Sequence, residues 1–447
     1  MHRVAEELEK KPVEDFFARL IQRVMPKSYV QCLGEVKVTR QFLKSFAGDS
    51  TRFALGRGFS VSGDHPGQES RGYRWPYGPV AVISPFNFPL EIPALQSVGA
   101  ILAGNRVVVK PAEKVAVVYE QFLRLMISCG APLEDILLLN GSGAVAQAVV
   151  TNPVVRLTQF TGSSHVANLL CEKTKGKCRI EDAGFNWKIL GPRKSLTEHD
   201  MDYVAFVCDQ DAYAASGQKC SAQSCLFVHS DWTSAPEKDI VAKLKILAAR
   251  RNMKDLTIGP VLTWSNDQIM GHVQKCLKNI PNCKVVFGGT PLKETGSDLV
   301  PSQYGLVNPT ALRCRITDVL ASDAAFSAFA TELFGPFQII VDYTSEELDL
   351  VVECMERMDH HLTAAVVSSD PNFCNRILAS TVNGTTYVGI RARTMGAPTN
   401  HWFGPAGDPR AAGIGTIESI LQGWTCHREI VHDILDPSME WTTPAAS

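Results

Sequence analysis

Little in this sequence is in excess. Lysine and arginine together number 44 and the acids 46, for a formal net charge of −2, and the basic residues are scattered. That leaves no electrostatic footprint for nucleic acid or for an anionic membrane surface. No apolar run approaches the ~20 residues that span a bilayer. The 13 cysteines include no C-x-x-C pair, so a zinc site is not expected, and no other metal is either. They read as free thiols in a reducing compartment. No targeting signal opens the chain. Residues 1–24 hold Glu6, Glu7, Glu9, Glu14 and Asp15, whereas transit peptides are poor in acid and signal peptides need an apolar core. No G-x-G-x-x-G follows the first strand of the α/β region, so the ordinary dinucleotide fingerprint is missing as well.

What is present is ordinary globular material: 447 residues, 45% hydrophobic and 20% charged, enough for two or three domains. Near the start, Phe16, Phe17, Leu20, Ile21 and Val24 recur at helical spacing in an amphipathic helix interrupted by Pro12. From Gly78 to Gly162 the chain alternates. "GPVAVISP", "NRVVVKPA", "ILLLNG" and "VRLTQFTG" read as strands. "EIPALQSVGAILAG" and "KVAVVYEQFLRLMISCG" read as helices, each closed by glycine. Strand, helix, strand at this spacing predicts parallel βαβ units and an α/β fold.

Ligands of such sheets bind beyond the carboxyl ends of the strands. Those ends carry Ser84, Pro85 and Phe86; Lys110 and Glu113; and Phe160, Gly162 and Ser163, with Val166 in the helix that follows. Small residues at Gly162 and Ser163 let a helix start approach a phosphate, although Ser163 also reads as a plain helix cap. A carboxylate at Glu113 can accept the hydroxyls of a ribose, or stand in a solvated loop. Asn87 lies between two phenylalanines in "SPFNFPLEIP". It is either a turn residue or an amide donor held in a rigid frame. Cys220 stands in "SGQKCSAQSC" among small and polar neighbours, which is unusual for a core thiol and suits a nucleophile. Lys219 and local backbone dipoles could lower its pKa. Cys225, in "SCLFVH", reads as packing.

"PFNFP", "KPAE", "FTGSS", "EDAG", "SGQKCS" and "ELFGP" occur in the order and spacing of the aldehyde dehydrogenase superfamily. The longer strings "EDAGFNWKILGP", "CDQDAYAASGQKCSAQS" and "APTNHWFGPAGDPRAAGIGT" resemble the plant-type Δ1-pyrroline-5-carboxylate dehydrogenases, which oxidise glutamate 5-semialdehyde to glutamate in proline catabolism. The resemblance implies a Rossmann-type NAD-binding domain, an α/β catalytic domain and a small β arm joining subunits. It makes Cys220 the nucleophile, Asn87 an oxyanion donor and Glu181 the general base, although the family more often has "ELGG" where this chain has "EDAG". It assigns Glu332 to the nicotinamide ribose, with Phe334 packing beside it. Lys110 and Glu113 take the adenosine ribose, and Gly162 and Ser163 the pyrophosphate. Glu113 favours NAD over NADP, whose extra phosphate would meet a carboxylate. Ser221, Gly396 and Ala397 would hold the substrate's α-carboxylate.

The expected division is residues 1–57 and 77–198 for NAD binding, 199–423 for catalysis, and 58–76 with 424–447 for the arm. A homodimer or higher homo-oligomer follows, as does the mitochondrial matrix by resemblance; the absence of a signal leaves the cytoplasm open. The chain starts late against its relatives, with 86 residues before Asn87. Two other readings stand beside the dehydrogenase. One is a non-catalytic homologue with an incomplete nucleotide domain, acting through subunit contacts. The other is a Cys220–Glu181 hydrolase without redox chemistry, which leaves Glu332 unexplained.

Overall fold

Strands that are apolar on both faces need cover on both sides, and the helices supply it. The computed structural model describes residues 1–46, 59–60, 67–182, 184–193, 197–235, 239–396, 402–438 and 440–447. Its strands are β1 Phe59–Ser60, β2 Gln68–Pro76, β3 Pro79–Ser84, β4 Arg106–Pro111, β5 Ile136–Leu138, β6 Leu157–Thr161, β7 Cys178–Glu181, β8 Asn186–Leu190, β9 Gln223–His229, β10 Lys284–Phe287, β11 Thr310–Arg315, β12 Phe337–Tyr343, β13 Thr363–Val367, β14 Thr385–Val388 and β15 Thr425–Asp433. The helices that matter below are α1 His2–Glu9, α2 Lys11–Val24, α3 Tyr29–Ser45, α4 Glu91–Leu102, α5 Ala116–Ser128, α6 Gly143–Val150, α7 Ser164–Lys173 and α8 Glu198–Tyr213. Among the described residues no helix is long and apolar enough to cross a membrane.

The first sheet has the order β5-β4-β3-β6-β7 and is parallel throughout. The chain leaves β3 in one direction to β4 and β5, then returns to β6 and β7 on the other side. The switch falls between β3 and β6, where open α/β sheets leave a crevice for ligands. One face of this sheet is covered by the amino-terminal helices: Leu8, Phe17 and Ile21 share a core with Val80, Val82 and Val109. The helix expected to be interrupted at Pro12 is two helices, α1 and α2, divided by extended Lys10 (ψ 124°). Pro12 stands in the first turn of α2, where its missing N–H leaves no bond unmade.

The second sheet has the order β10-β11-β12-β9-β8-β13-β14, with only β10 antiparallel. Side chains alternate between its two faces. Cys225, Phe227, Ile339 and Val341 join one core; Leu226, Val228 and Ile340 join the other. Cys225 is thus a packing residue. β8 belongs to this sheet, so the change of sheet falls between Glu181 and Asn186, before the division expected at residue 198. The reason is pairing: β8 is bonded to β9 and β13, and β7 to β6. The third sheet is the arm, β1-β2-β15, in which β2 and β15 pair antiparallel from Gln68↔Asp433 to Pro76↔Thr425. Trp424, expected within the arm, instead ends the helix before it and is buried.

One buried ion pair ties α3 to the loop that carries Asn87. Lys27 Nζ lies 2.5 Å from Glu35 Oε2 and donates to the Asn87 carbonyl at 3.0 Å. Glu35 Oε1 accepts from the backbone N–H groups of Leu90 (2.8 Å) and Glu91 (3.1 Å), which caps the start of α4. Removing one partner of such a pair strands a charge out of water. Lys27→Met should therefore cost about 3–5 kcal/mol in denaturant unfolding, and a loss below about 1 kcal/mol would contradict this role for the pair.

Candidate active site

Cys220 is presented by an unusual piece of backbone. After α8 the chain passes through Ala215 (φ 55°, ψ 29°), Ser216 (φ 56°, ψ 34°) and Gly217 (φ 68°). All three are left-handed, a conformation that costs an L-residue roughly 1–3 kcal/mol. Hydrogen bonds hold it. Ser216 Oγ donates to the Gly259 carbonyl at 3.0 Å and accepts from the Gly259 N–H at 2.8 Å. Gln218 Nε2 donates to the Pro260 carbonyl at 3.0 Å, and its Oε1 accepts from the Leu262 N–H at 2.8 Å. A Cβ on Gly217 would lie 2.0 Å from the Gly335 carbonyl oxygen, so the turn is pressed against the "TELFGP" segment. From the other side, the Asn186 amide donates to the carbonyls of Cys220 (2.7 Å) and Ala222 (2.9 Å), and its oxygen accepts from Thr363.

This turn opens onto a cavity of about 330 Å³ whose wall includes Cys220, Ser221, Glu181, Gly396, Phe88 and Lys219. The structure thus brings Glu181 and Gly396, far apart in sequence, to the Cys220–Ser221 pair. Ala397 lies outside the described residues. Glu181 ends β7, and its carboxyl lies close enough to the Cys220 thiol for each to shift the other's protonation. Burial pushes that carboxyl up to about 7, with the thiol partly opposing the shift, and Glu181 Oε1 is buried without a hydrogen-bond partner. Burial also raises the Cys220 thiol well above its ordinary value, and the Glu181 carboxylate adds to the shift. The expectation that Lys219 lowers the thiol pKa is therefore not met. Lys219 is itself buried, and desolvation takes its ammonium down to about 7. Its Nζ reaches the Gln210 carbonyl at 3.3 Å and the Met395 sulfur. A buried thiol beside a buried acid forms a pair whose protonation states are linked.

Asn87 is buried next to Phe88, with its backbone held by Lys27 and its side-chain oxygen unpartnered. Glu332 approaches from the second sheet. Burial raises it to about 8, against a hydrogen bond to the Gly184 backbone, and its charge is felt at Cys220. Phe334 (φ 51°) meets Phe86 edge-on, with ring centroids 6.1 Å apart, across the two sheets.

The remaining predicted residues lie at the strand ends of the first sheet. Ser84 Oγ is buried and unpartnered. Lys110 is buried, its pKa lowered by desolvation, with Glu113 the nearby charge that opposes the shift. Ser163 is the N-cap of α7 and makes no side-chain cap bond, so the first N–H groups of that helix are open to an anion; Val166 is exposed on the same helix. Gly162 packs on the Phe160 ring, which a Cβ would meet at 2.5 Å. An orphaned hydroxyl, an unbonded ammonium and an open helix start fit a dinucleotide with phosphates and ribose hydroxyls.

The aldehyde dehydrogenase family model matches residues 1–419. The chain belongs to that family. This aldehyde dehydrogenase is 52% identical over 435 residues to the mitochondrial delta-1-pyrroline-5-carboxylate dehydrogenase 12A1 of Arabidopsis thaliana, covering 97% of this chain and 76% of the relative. Its fold is similar to that of a proline utilization A variant from Bradyrhizobium japonicum, with a TM-score of 0.79 at 23% identity, covering 97% of this chain and 42% of that one. It is also similar to betaine aldehyde dehydrogenase of Staphylococcus aureus in complex with NAD+, with a TM-score of 0.82 at 18% identity, covering 99% of this chain and 83% of that one. At those identities the two structures speak to the fold alone.

Sequence reasoning missed the supports of this aldehyde dehydrogenase's site. Asn186 stands inside "EDAGFNWKILGP" with nothing to mark it. Asp211 is another: its Oδ2 accepts from Lys188 Nζ (2.8 Å) and from the Thr394 N–H (2.7 Å), which anchors the loop leading to Gly396. Gly217 offers the sharpest test of the turn. Gly217→Ala should lose about 1–3 kcal/mol from conformation alone, with a large fall in turnover, as read by denaturation and steady-state rates. Wild-type values for both would show that the turn adapts.

Proposed function

We propose that this chain oxidises glutamate 5-semialdehyde, formed by opening of Δ1-pyrroline-5-carboxylate, to glutamate. The reading is carried by one observation: the Cys220 thiol and the Glu181 carboxyl meet in a buried pocket that also holds Ser221 and Gly396. The 52% identity to a delta-1-pyrroline-5-carboxylate dehydrogenase supports it. NAD is the cofactor; when bound it accepts a hydride. Ser84, Pro85, Phe86, Phe160 and Val166 would line its site. Lys110 and Glu113 would take the adenosine ribose, the α7 start at Gly162 and Ser163 the pyrophosphate, and Glu332 with Phe334 the nicotinamide ribose.

The chain's own residues then act in order. Cys220 releases its proton to water and its sulfur attacks the aldehyde carbon. The Asn87 amide and the Cys220 N–H steady the oxyanion. A bound cofactor would take up the hydride, and Cys220 would then hold the acyl group as a thioester. Glu181 takes a proton from water, the hydroxide displaces the thiolate, and glutamate is released. Ser221 and Gly396 hold the α-carboxylate throughout. The five-stranded sheet with α1–α3 is the nucleotide domain, and the seven-stranded sheet is the catalytic domain. The arm exposes Trp75, Val431, Ile434 and Leu435, which would be covered in a homo-oligomer. The mitochondrion is the proposed compartment, after the relative's name.

Three measurements follow. NADH formation should be faster with Δ1-pyrroline-5-carboxylate than with propanal or hexanal, and faster with NAD than with NADP. Better turnover of the simple aldehydes would remove the substrate assignment. Cys220→Ala should abolish turnover and keep NAD binding, seen as an unchanged NAD-induced rise in melting temperature; residual NADH production would move the nucleophile elsewhere. Glu181 acts as a base only when ionised. With its pKa at about 7, the steady rate should rise as pH goes from 6 to 8. Glu181→Gln should keep a burst of NADH, slow the phase after it and lose that pH limb; equal loss of burst and steady rate would give Glu181 another task.

A further inference from the structure

Three acids line the cavity, and two of them are already engaged. Glu35 accepts from Lys27 and from two backbone N–H groups. Glu181 is coupled to the Cys220 thiol. Glu91 has no such partner. Its backbone N–H goes to Glu35, but no described residue hydrogen-bonds or ion-pairs with its carboxyl. The residue is 8% exposed, and the cavity it lines is the one that holds Cys220, Ser221 and Gly396. Lys27, the cation that acts on it through space, is already spent on Glu35 and the Asn87 carbonyl. Burial and the Glu35 charge push the Glu91 carboxyl up to about 8, the direction expected where a cation is missing.

A mostly buried carboxyl that faces a cavity with no donor is unfavourable until a ligand brings one. We infer that Glu91 is a specificity residue that accepts the α-ammonium of the substrate. The inference rests on the glutamate-semialdehyde reading above. That substrate carries an ammonium and a carboxylate on one carbon, so its site needs acceptors and donors converging on one point. The proposed carboxylate partners sit on the Cys220 turn and on the loop at Gly396; Glu91 reaches the same cavity from a third element, the first residue of α4. Its charge acts on Cys220 less strongly than that of Glu181, so the two acids divide recognition from proton transfer.

The test compares glutamate 5-semialdehyde with 5-oxopentanoate, which keeps the chain length and the carboxylate but lacks the amine. The wild-type enzyme should prefer the amino substrate. Glu91→Gln should shrink that preference by about 10- to 100-fold, the scale of a hydrogen bond to a charged group, mostly through KM. Glu91→Asp should restore part of it. An independent arm needs no variant: L-glutamate should inhibit the wild-type enzyme more tightly than glutarate does. Equal inhibition by the two, or equal loss of both substrates in Glu91→Gln, would overturn the role of Glu91 and leave the substrate reading intact. A wild-type enzyme that turns over hexanal better than the semialdehyde would overturn both.

Discussion

The site depends on one side chain that does no chemistry. Asn186 begins β8, and its amide group bonds the Cys220 and Ala222 carbonyls on one side and Thr363 of β13 on the other. A side-chain amide offers two donors and a two-lone-pair acceptor, and this one has all of them in use. It fixes the Cys220 backbone to two adjacent strands of a parallel sheet. The left-handed turn at 215–217 could not persist unless something over-determined it. Asn186 does so from one side, and the Ser216–Gly259 and Gln218–Pro260 bonds from the other. Gly184, whose Cβ would lie 2.2 Å from the Cys220 carbonyl, shows how closely the two segments pack.

Rigidity of the backbone allows electrostatic tension in the side chains. Glu91, Glu181 and Glu332 are all raised to between about 7 and about 8, and burial is the first cause of each. Lys219 is shifted the opposite way for the same reason. A site of this kind holds groups close to the point of proton exchange near neutrality, so a small change in charge decides which of them is ionised. A thiol left in such surroundings is a poor nucleophile until its proton is taken.

Much of this was legible beforehand. The near-continuous apolar runs at Val80–Ile83 and Val107–Val109 read as buried strands, and Cys225 in "SCLFVH" read as packing. The residues proposed to carry the chemistry stood in short strings whose order is informative: Asn87, Glu181, Cys220 and Glu332. What could not be read was mutual support. Asn186, Asp211 and the Lys27–Glu35 pair act across long stretches of sequence, and a buried polar residue leaves no periodic trace. The thiol's environment was misjudged for a related reason. A lysine next in sequence suggested attraction, but burial desolvates that lysine and the thiol alike. The change of sheet between β7 and β8 leaves no mark in the sequence, and only hydrogen-bond pairing shows it.

The central claim is covalent: the substrate's acyl group passes through Cys220 and is released by the acid beside it. The most direct measurement is mass spectrometry of enzyme quenched during turnover of Δ1-pyrroline-5-carboxylate with NAD, using the Glu181→Gln variant to slow release. The account predicts a glutamyl adduct on the peptide that contains Cys220, in amounts matching the NADH formed. NADH without any adduct, or an adduct on another cysteine, would contradict it.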